Sequence, residues 1–191
     1  MNPIIMSVLY GFSGFLMKIS DDEYDKNNNK VTSSILGAFT GLTCGFLASH
    51  DTSSAYIFIG ILISTLISLK IDGIHHITSL IFFVLTCISF GVGDLNLFVL
   101  TLCITSGFID EIGNDNKCIY KKSKFFKVFF DYRFSMKITI FLLSVLGIIN
   151  ILYGFSIDYI GFLAPETIIY FLIFEIFYDL GGRTSKIKSL L

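Results

Sequence analysis

The chain has 191 residues, 53% of them hydrophobic, with a mean hydropathy of +0.76 and a formal net charge of −1. Soluble domains are about 45–50% apolar even when glycine is counted, and sixteen glycines stand outside the 53% here, so an ordinary soluble domain is excluded. The apolar residues come in runs of about 15–20, the length that crosses a hydrocarbon core of roughly 30 Å, and the sequence reads as an all-α, polytopic membrane helical bundle.

Seven transmembrane segments are expected, at 3–19, 32–49, 54–71, 77–93, 95–110, 136–157 and 162–179. Met1 to Met17 carries no charged side chain, so the first segment is expected to be kept as a span and not cleaved as a signal. The connectors alternate in charge. His50–Ser54, Gly91–Asn96 and Ser156–Glu166 hold no Lys or Arg, and all fourteen basic residues fall at 18–30, Lys70, 117–137 or the tail from Arg183. The positive-inside rule then predicts a cell-membrane protein with its N-terminus outside and its C-terminus cytoplasmic. Cys44, Cys87 and Cys103 lie in apolar runs and Cys118 in a polar loop, a spacing that indicates neither a disulfide framework nor a zinc site.

The first segment ends in Lys18-Ile-Ser-Asp-Asp-Glu-Tyr-Asp-Lys-Asn-Asn-Asn-Lys30, which packs Asp21, Asp22, Glu23 and Asp25 into five residues. If the helix continues past Ser20, Asp21 and Asp25 share a face and Asp22 and Asp25 nearly do. Carboxylates so crowded repel one another unless a cation or water screens them. A solvated acidic cap on a membrane helix is the plainer alternative. Segment two carries Gly37-x3-Gly41-x3-Gly45, a stripe of small residues that lets another helix approach closely. After segment three come Lys70, placed to snorkel, and Asp72, His75 and His76 at the interface. Adjacent histidines point to different faces of a helix and are expected to make a poor metal pair.

Segment five ends Ser106-Gly-Phe-Ile-Asp-Glu-Ile-Gly-Asn-Asp115, which aligns without gaps with Ser13-Gly-Phe-Leu-Met-Lys-Ile-Ser-Asp-Asp22 at an offset of 93 residues. Four intervening segments return the chain in the same direction, so a parallel 3+1+3 internal repeat is expected, with halves of about 1–75 and 94–182 in one integral membrane domain. The loop 116–137 interleaves Lys117, Lys121, Lys122, Lys124, Lys127, Arg133 and Lys137 with five phenylalanines. It suits an amphipathic helix on anionic lipid, or a cover over the acidic ends that offers cations to phosphate.

Acidic clusters at the membrane face with lysines nearby suit a hard cation. Mg²⁺ takes oxygen ligands, keeps several waters and bridges one or two carboxylates to substrate phosphates. A lipid diphosphate matches this setting, its head at the interface and its tail among the helices. Signatures of a catalytic triad, a Walker loop, an HExxH zinc motif or a nucleic-acid-binding sheet are absent.

The stretch Asp21-Asp-Glu-Tyr-Asp-Lys-Asn-Asn-Asn29 resembles the first aspartate-rich motif, NDxxDxxxD, of the UbiA-type membrane prenyltransferases. Asp21 stands where that motif has Asn, Asp22 and Asp25 match its first two aspartates, and Asn29 replaces the last. The family's second acidic motif lies four helices later, where this chain has Asp110-Glu-Ile-Gly-Asn-Asp115. The chain is shorter than family members and its seven segments stand where they have nine, matching the second to the eighth. The resemblance implies a Mg²⁺-dependent enzyme acting on a polyprenyl diphosphate at the cytoplasmic face, with an unidentified acceptor and with loop 116–137 as a cap. Asp22, Asp25, Asp110 and Asp115 would be catalytic, holding metal with help from Asp21 and Asn114. Lys117, Lys121 and Arg133 would contact the diphosphate, and the lipid bilayer is the expected surrounding. The alternatives are a small ion or solute transporter, for which Glu175 is the candidate intramembrane carboxylate, and a non-catalytic membrane subunit.

Overall fold

The computed structural model describes residues 1–116, 123–154 and 161–188, the side chains of 186–188 excepted. Among the described residues the chain is entirely helical and has no strand. The eight helices are α1 (Pro3–Asp25), α2 (Lys30–His50), α3 (Thr52–Ile67), α4 (Ile74–Phe90), α5 (Leu97–Asp115), α6 (Lys124–Asp131), α7 (Phe134–Tyr153) and α8 (Thr167–Lys188). Four of them, α1, α2, α5 and α7, are long and apolar enough to cross a membrane, and α3 and α4 are shorter apolar helices. Exposed apolar side chains such as Ile4, Val8, Ile35, Phe39 and Ile88 are what a surface facing hydrocarbon carries.

Asparagine starts three of these helices. Asn2, Asn29 and Asn96 each precede a helix and accept hydrogen bonds from its first free amides: Ile4 N at 2.8 Å, Thr32 N at 3.1 Å, and Phe98 N and Val99 N at 2.9 and 3.2 Å. Asp51 does the same for α3, accepting from Ser54 N at 2.7 Å. At the other ends, Gly91 and Gly154 close α4 and α7 with φ of 78° and 61°, left-handed backbone that glycine adopts without strain.

The chain forms two compact units that interleave along the sequence. One comprises 1–55, 71–93 and 169–191, and the other 56–70 and 94–168. In the first unit the glycine stripe of α2 lies against α4. A Cβ on Gly37, Gly41 or Gly45 would fall 2.5 Å from His75 O, 2.2 Å from Ser79 O and 2.8 Å from Thr86 Cβ. The close helix approach expected from the stripe is therefore present, with α4 as its partner. Gly14 of α1 meets α8 in the same way, with Phe174 O 2.2 Å from where its Cβ would be. Tyr10, fully buried, donates to Ser54 Oγ at 2.7 Å and stacks on Tyr170.

In the second unit, Gly107 of α5 meets Ser64 of α3, whose Oγ lies 2.6 Å from its Cβ position, and Gly60 of α3 meets Cys103. Gly147 of α7 abuts the carbonyl of Leu163, and Leu163 N donates to Leu143 O at 3.2 Å. Helix α6 takes up part of the loop read as amphipathic. Phe125, Phe126, Phe129 and Phe130 fall on one side, with Lys124, Lys127 and Asp131 on the other. Phe130 lies against Gly113 of α5, while Phe125 and Phe126 are exposed.

Candidate functional site

Helix α1 continues past Ser20 to Asp25, so the acidic stretch is helical and its side chains sort by face. Asp22 points inward. It is 2% exposed, and its two oxygens pair with Lys18 at 3.1 Å and Lys26 at 2.8 Å, one turn before and one turn after. Asp25 is exposed. Asp21 faces the start of α4 and the middle of α8: its Oδ1 lies 3.2 Å from His75 Nε2, and its Oδ2 accepts a hydrogen bond from Tyr178 at 3.2 Å. Ser20 fixes this end of α1 to α2 by donating to Ser33 O at 2.8 Å.

The structure differs from the sequence reading at His75 and His76. Helix α4 begins at Ile74, three residues earlier than expected, which takes both histidines into its first turn. His75 is buried at 3% exposure and does not lie on the protein surface. The ring of His76 lies beside it with centroids 3.9 Å apart, and Tyr24 covers it at 4.7 Å. Gly73 makes this possible, because a Cβ there would stand 2.4 Å from the His75 ring.

The second unit gathers charge at the end of α5. Lys70 reaches Glu111 Oε2 at 2.7 Å and Asp115 Oδ1 at 3.1 Å, and Arg133 meets Glu111 Oε1 at 3.4 Å. Asp110 is 2% exposed and accepts backbone hydrogen bonds from Ser135 at 3.0 Å and Met136 at 2.8 Å. These are the free amides of the first turn of α7. The residue preceding that helix, Arg133, is left-handed and gives no side-chain cap. Asp110 supplies the missing cap from a neighbouring helix.

These positions decide which of the expected residues suit Mg²⁺. Asp25, Asn114 and Asp115 are exposed at helix ends, Asp115 with its Oδ1 on Lys70, and exposed carboxylates fit an ion that takes one or two of them and completes its shell with water and phosphate. Asp110 does not fit direct ligation, since both its oxygens are committed to α7. Asp22 fits only if Lys18 and Lys26 release it. Asn29, which holds the place of the motif's last aspartate, is the cap of α2. Lys117 and Lys121 lie outside the described residues. Lys18, Lys26, Lys70 and Glu111, absent from the sequence-derived set, complete the two clusters. The i, i+4 spacing of Lys18, Asp22 and Lys26 carried that signal, whereas nothing local ties Lys70 to Glu111.

The class so defined is an all-helical protein with four helices able to span a membrane and a charged cluster at the end of α1 and of α5. Comparison of the chain with protein-family models, curated proteins and solved structures gives no match.

Proposed function

We propose that the chain is a UbiA-like integral membrane enzyme that binds a polyprenyl diphosphate at the cytoplasmic face and transfers the prenyl group to an acceptor. The observation that carries the proposal is common to both acidic helix ends. Each collects basic side chains around a buried carboxylate, Lys18 and Lys26 on Asp22 and Lys70 and Arg133 on Glu111, and each carries an exposed carboxylate, Asp25 or Asp115, the latter sharing Lys70 with Glu111. The buried carboxylate holds the cations in place, and a diphosphate supplies the same kind of oxygen partner with more charge. Mg²⁺ held by Asp25, or by Asp115 with Asn114, would stabilise the charge developing on the leaving diphosphate. Lys26 at the α1 end, or Lys70 and Arg133 at the α5 end, then orients a diphosphate bound there, and Asp110, by capping α7, fixes the segment that carries Arg133.

A parallel repeat underlies this reading. Ser13-Gly14 of α1 and Ser106-Gly107 of α5 play the same part in their own units. Each glycine is a close-approach point for another helix, and each serine is buried and donates to the carbonyl three residues back, Tyr10 O at 2.9 Å and Cys103 O at 3.0 Å. Two sequence halves of like design, each ending in an acidic cluster, support a plan of two related binding ends in a bundle of seven spans.

Binding of geranylgeranyl diphosphate to the detergent-purified chain, with and without Mg²⁺, tests the proposal. Saturable Mg²⁺-dependent binding is expected, weakened in Asp25→Asn or in Asp115→Asn and lost when the two are combined, these being exposed side chains whose change is expected to leave folding intact. Folded wild-type protein that fails to bind, or variants that bind as well as wild type, would sink the enzyme reading and bring transport forward, with Glu175→Gln the next variant to measure.

A further inference from the structure

We propose that Asp21, His75 and His76 form a binding site for a transition-metal ion of the Zn²⁺ type, at the junction of α1 and α4. One ligand atom from each lies within 4.8 Å of the others, and among the described residues this is the group of three ligand-type side chains that comes together so closely. The spacing is open by about an ångström relative to a bound tetrahedral site with Zn–N and Zn–O bonds near 2.0–2.2 Å. Small rotations of the partly exposed His76 close it.

The second observation concerns His75. Its side chain is 4% exposed, and neither ring nitrogen makes a hydrogen bond. Nε2 is 3.2 Å from Asp21 Oδ1 but lacks the alignment a hydrogen bond needs. A buried imidazole without hydrogen bonds is an unfavourable arrangement, and a cation placed between Nε2 and the carboxylate satisfies both groups at once. The surroundings hold the ligands as metal sites require. Tyr178 donates to Asp21 Oδ2, the free face of the carboxylate. The backbone of His75 is held by Gly37 of α2, and its ring is covered by Tyr24 and given room by Gly73.

The donor set chooses the ion. Two imidazoles and one carboxylate suit Zn²⁺ and its neighbours, whereas Mg²⁺ prefers oxygen throughout. His76 is partly open to solvent, and the exposed Asp72 lies 3.9 Å from its Nε2. The fourth position therefore opens outward, to water or to an anionic group. Bound there, the ion ties the end of α1 to the start of α4.

Asp21, expected to assist Mg²⁺, is the one residue shared with the diphosphate reading; Asp25, Asp115 and Asn114, which hold Mg²⁺ there, take no part here, so His75 and His76 variants test this site separately. Co²⁺, a visible-absorbing substitute for Zn²⁺, is titrated into the full-length, tag-free chain in detergent with excess Mg²⁺ present. One Co²⁺ per chain is expected, with ligand-field absorption that Zn²⁺ displaces and Mg²⁺ does not. His75→Gln, His76→Gln and Asp21→Asn are each expected to weaken binding at least tenfold, Tyr178→Phe by about tenfold, and His50→Gln not at all. His50 is bonded to Phe46 O at the far end of α2 and serves as the control histidine. His76→Gln changes a partly exposed side chain and keeps the test sound if His75→Gln fails to fold. Absence of a saturable Co²⁺ signal from folded protein overturns the proposal, as does a signal that survives His76→Gln unchanged. Co²⁺ binding with no diphosphate binding would refute only the enzyme reading.

Discussion

Gly41→Ala isolates the close contact between α2 and α4 with the smallest possible side chain. The added Cβ falls 2.2 Å from Ser79 O and 3.0 Å from Phe83 N, whereas ordinary van der Waals contact begins near 3.4 Å. Moving from 2.2 to 3.4 Å requires the two helices to part by about 1.2 Å at this level. The obstacle is backbone, so no rotamer change relieves it. Gly37 and Gly45, one turn away on either side, meet α4 at similarly short range, and α4 must move as a body. Overpacking of this kind costs about 1–3 kcal/mol. Alanine's helix preference offsets roughly 0.5–1 kcal/mol where the unfolded state is a coil, and less in dodecyl sulfate, where helices persist on unfolding.

The expected net loss is therefore about 1–2 kcal/mol, read as an earlier midpoint in reversible unfolding by dodecyl sulfate in mixed micelles, followed by circular dichroism. Gly182→Ala is the matched control, because its Cβ meets only the flexible methylenes of Lys18, at 3.2 Å and beyond, and little change is expected there. A Gly41→Ala protein as stable as wild type would refute the reasoning, since it would mean the helices are not in backbone contact. The same displacement carries His75 and His76 away from Asp21, so Co²⁺ affinity is expected to fall together with stability.

Two further expectations use the same unfolding and spectroscopic methods. Asp110→Ala strips the cap from α7 and leaves one buried and one part-buried amide without acceptors, for a loss of about 1–2 kcal/mol, while Asp110→Asn keeps one acceptor and loses less; equal midpoints for the two variants would count against the capping role. Phe126→Trp places a reporter on the exposed side of α6, and in anionic lipid nanodiscs its emission is expected to shift to the blue and to be quenched by brominated acyl chains. Unquenched emission would mean that α6 does not lie in the interface.

Helical class, the spanning length of apolar helices and the glycine stripe were legible in the sequence because each is written in local periodicity. An apolar run of spanning length has few alternatives to a helix in lipid, and glycines four residues apart must fall on one face. The i, i+4 spacing likewise put Lys18, Asp22 and Lys26 in reach of one another before any fold was known. Tertiary structure decided what the acidic residues face. Asp110, read as a metal ligand, caps a helix that begins 24 residues later, and Asn29, read as a substituted motif aspartate, caps α2. Lys70 belongs to Glu111 and Asp115 across more than forty residues of sequence. His75 is buried beside Asp21 only because α2 lets α4 approach and Gly73 leaves room for the ring. A carboxylate at a helix end serves equally well as cap, ion-pair partner or ligand, and its sequence is the same in all three cases. The partner is supplied by a distant element, so only packing distinguishes them.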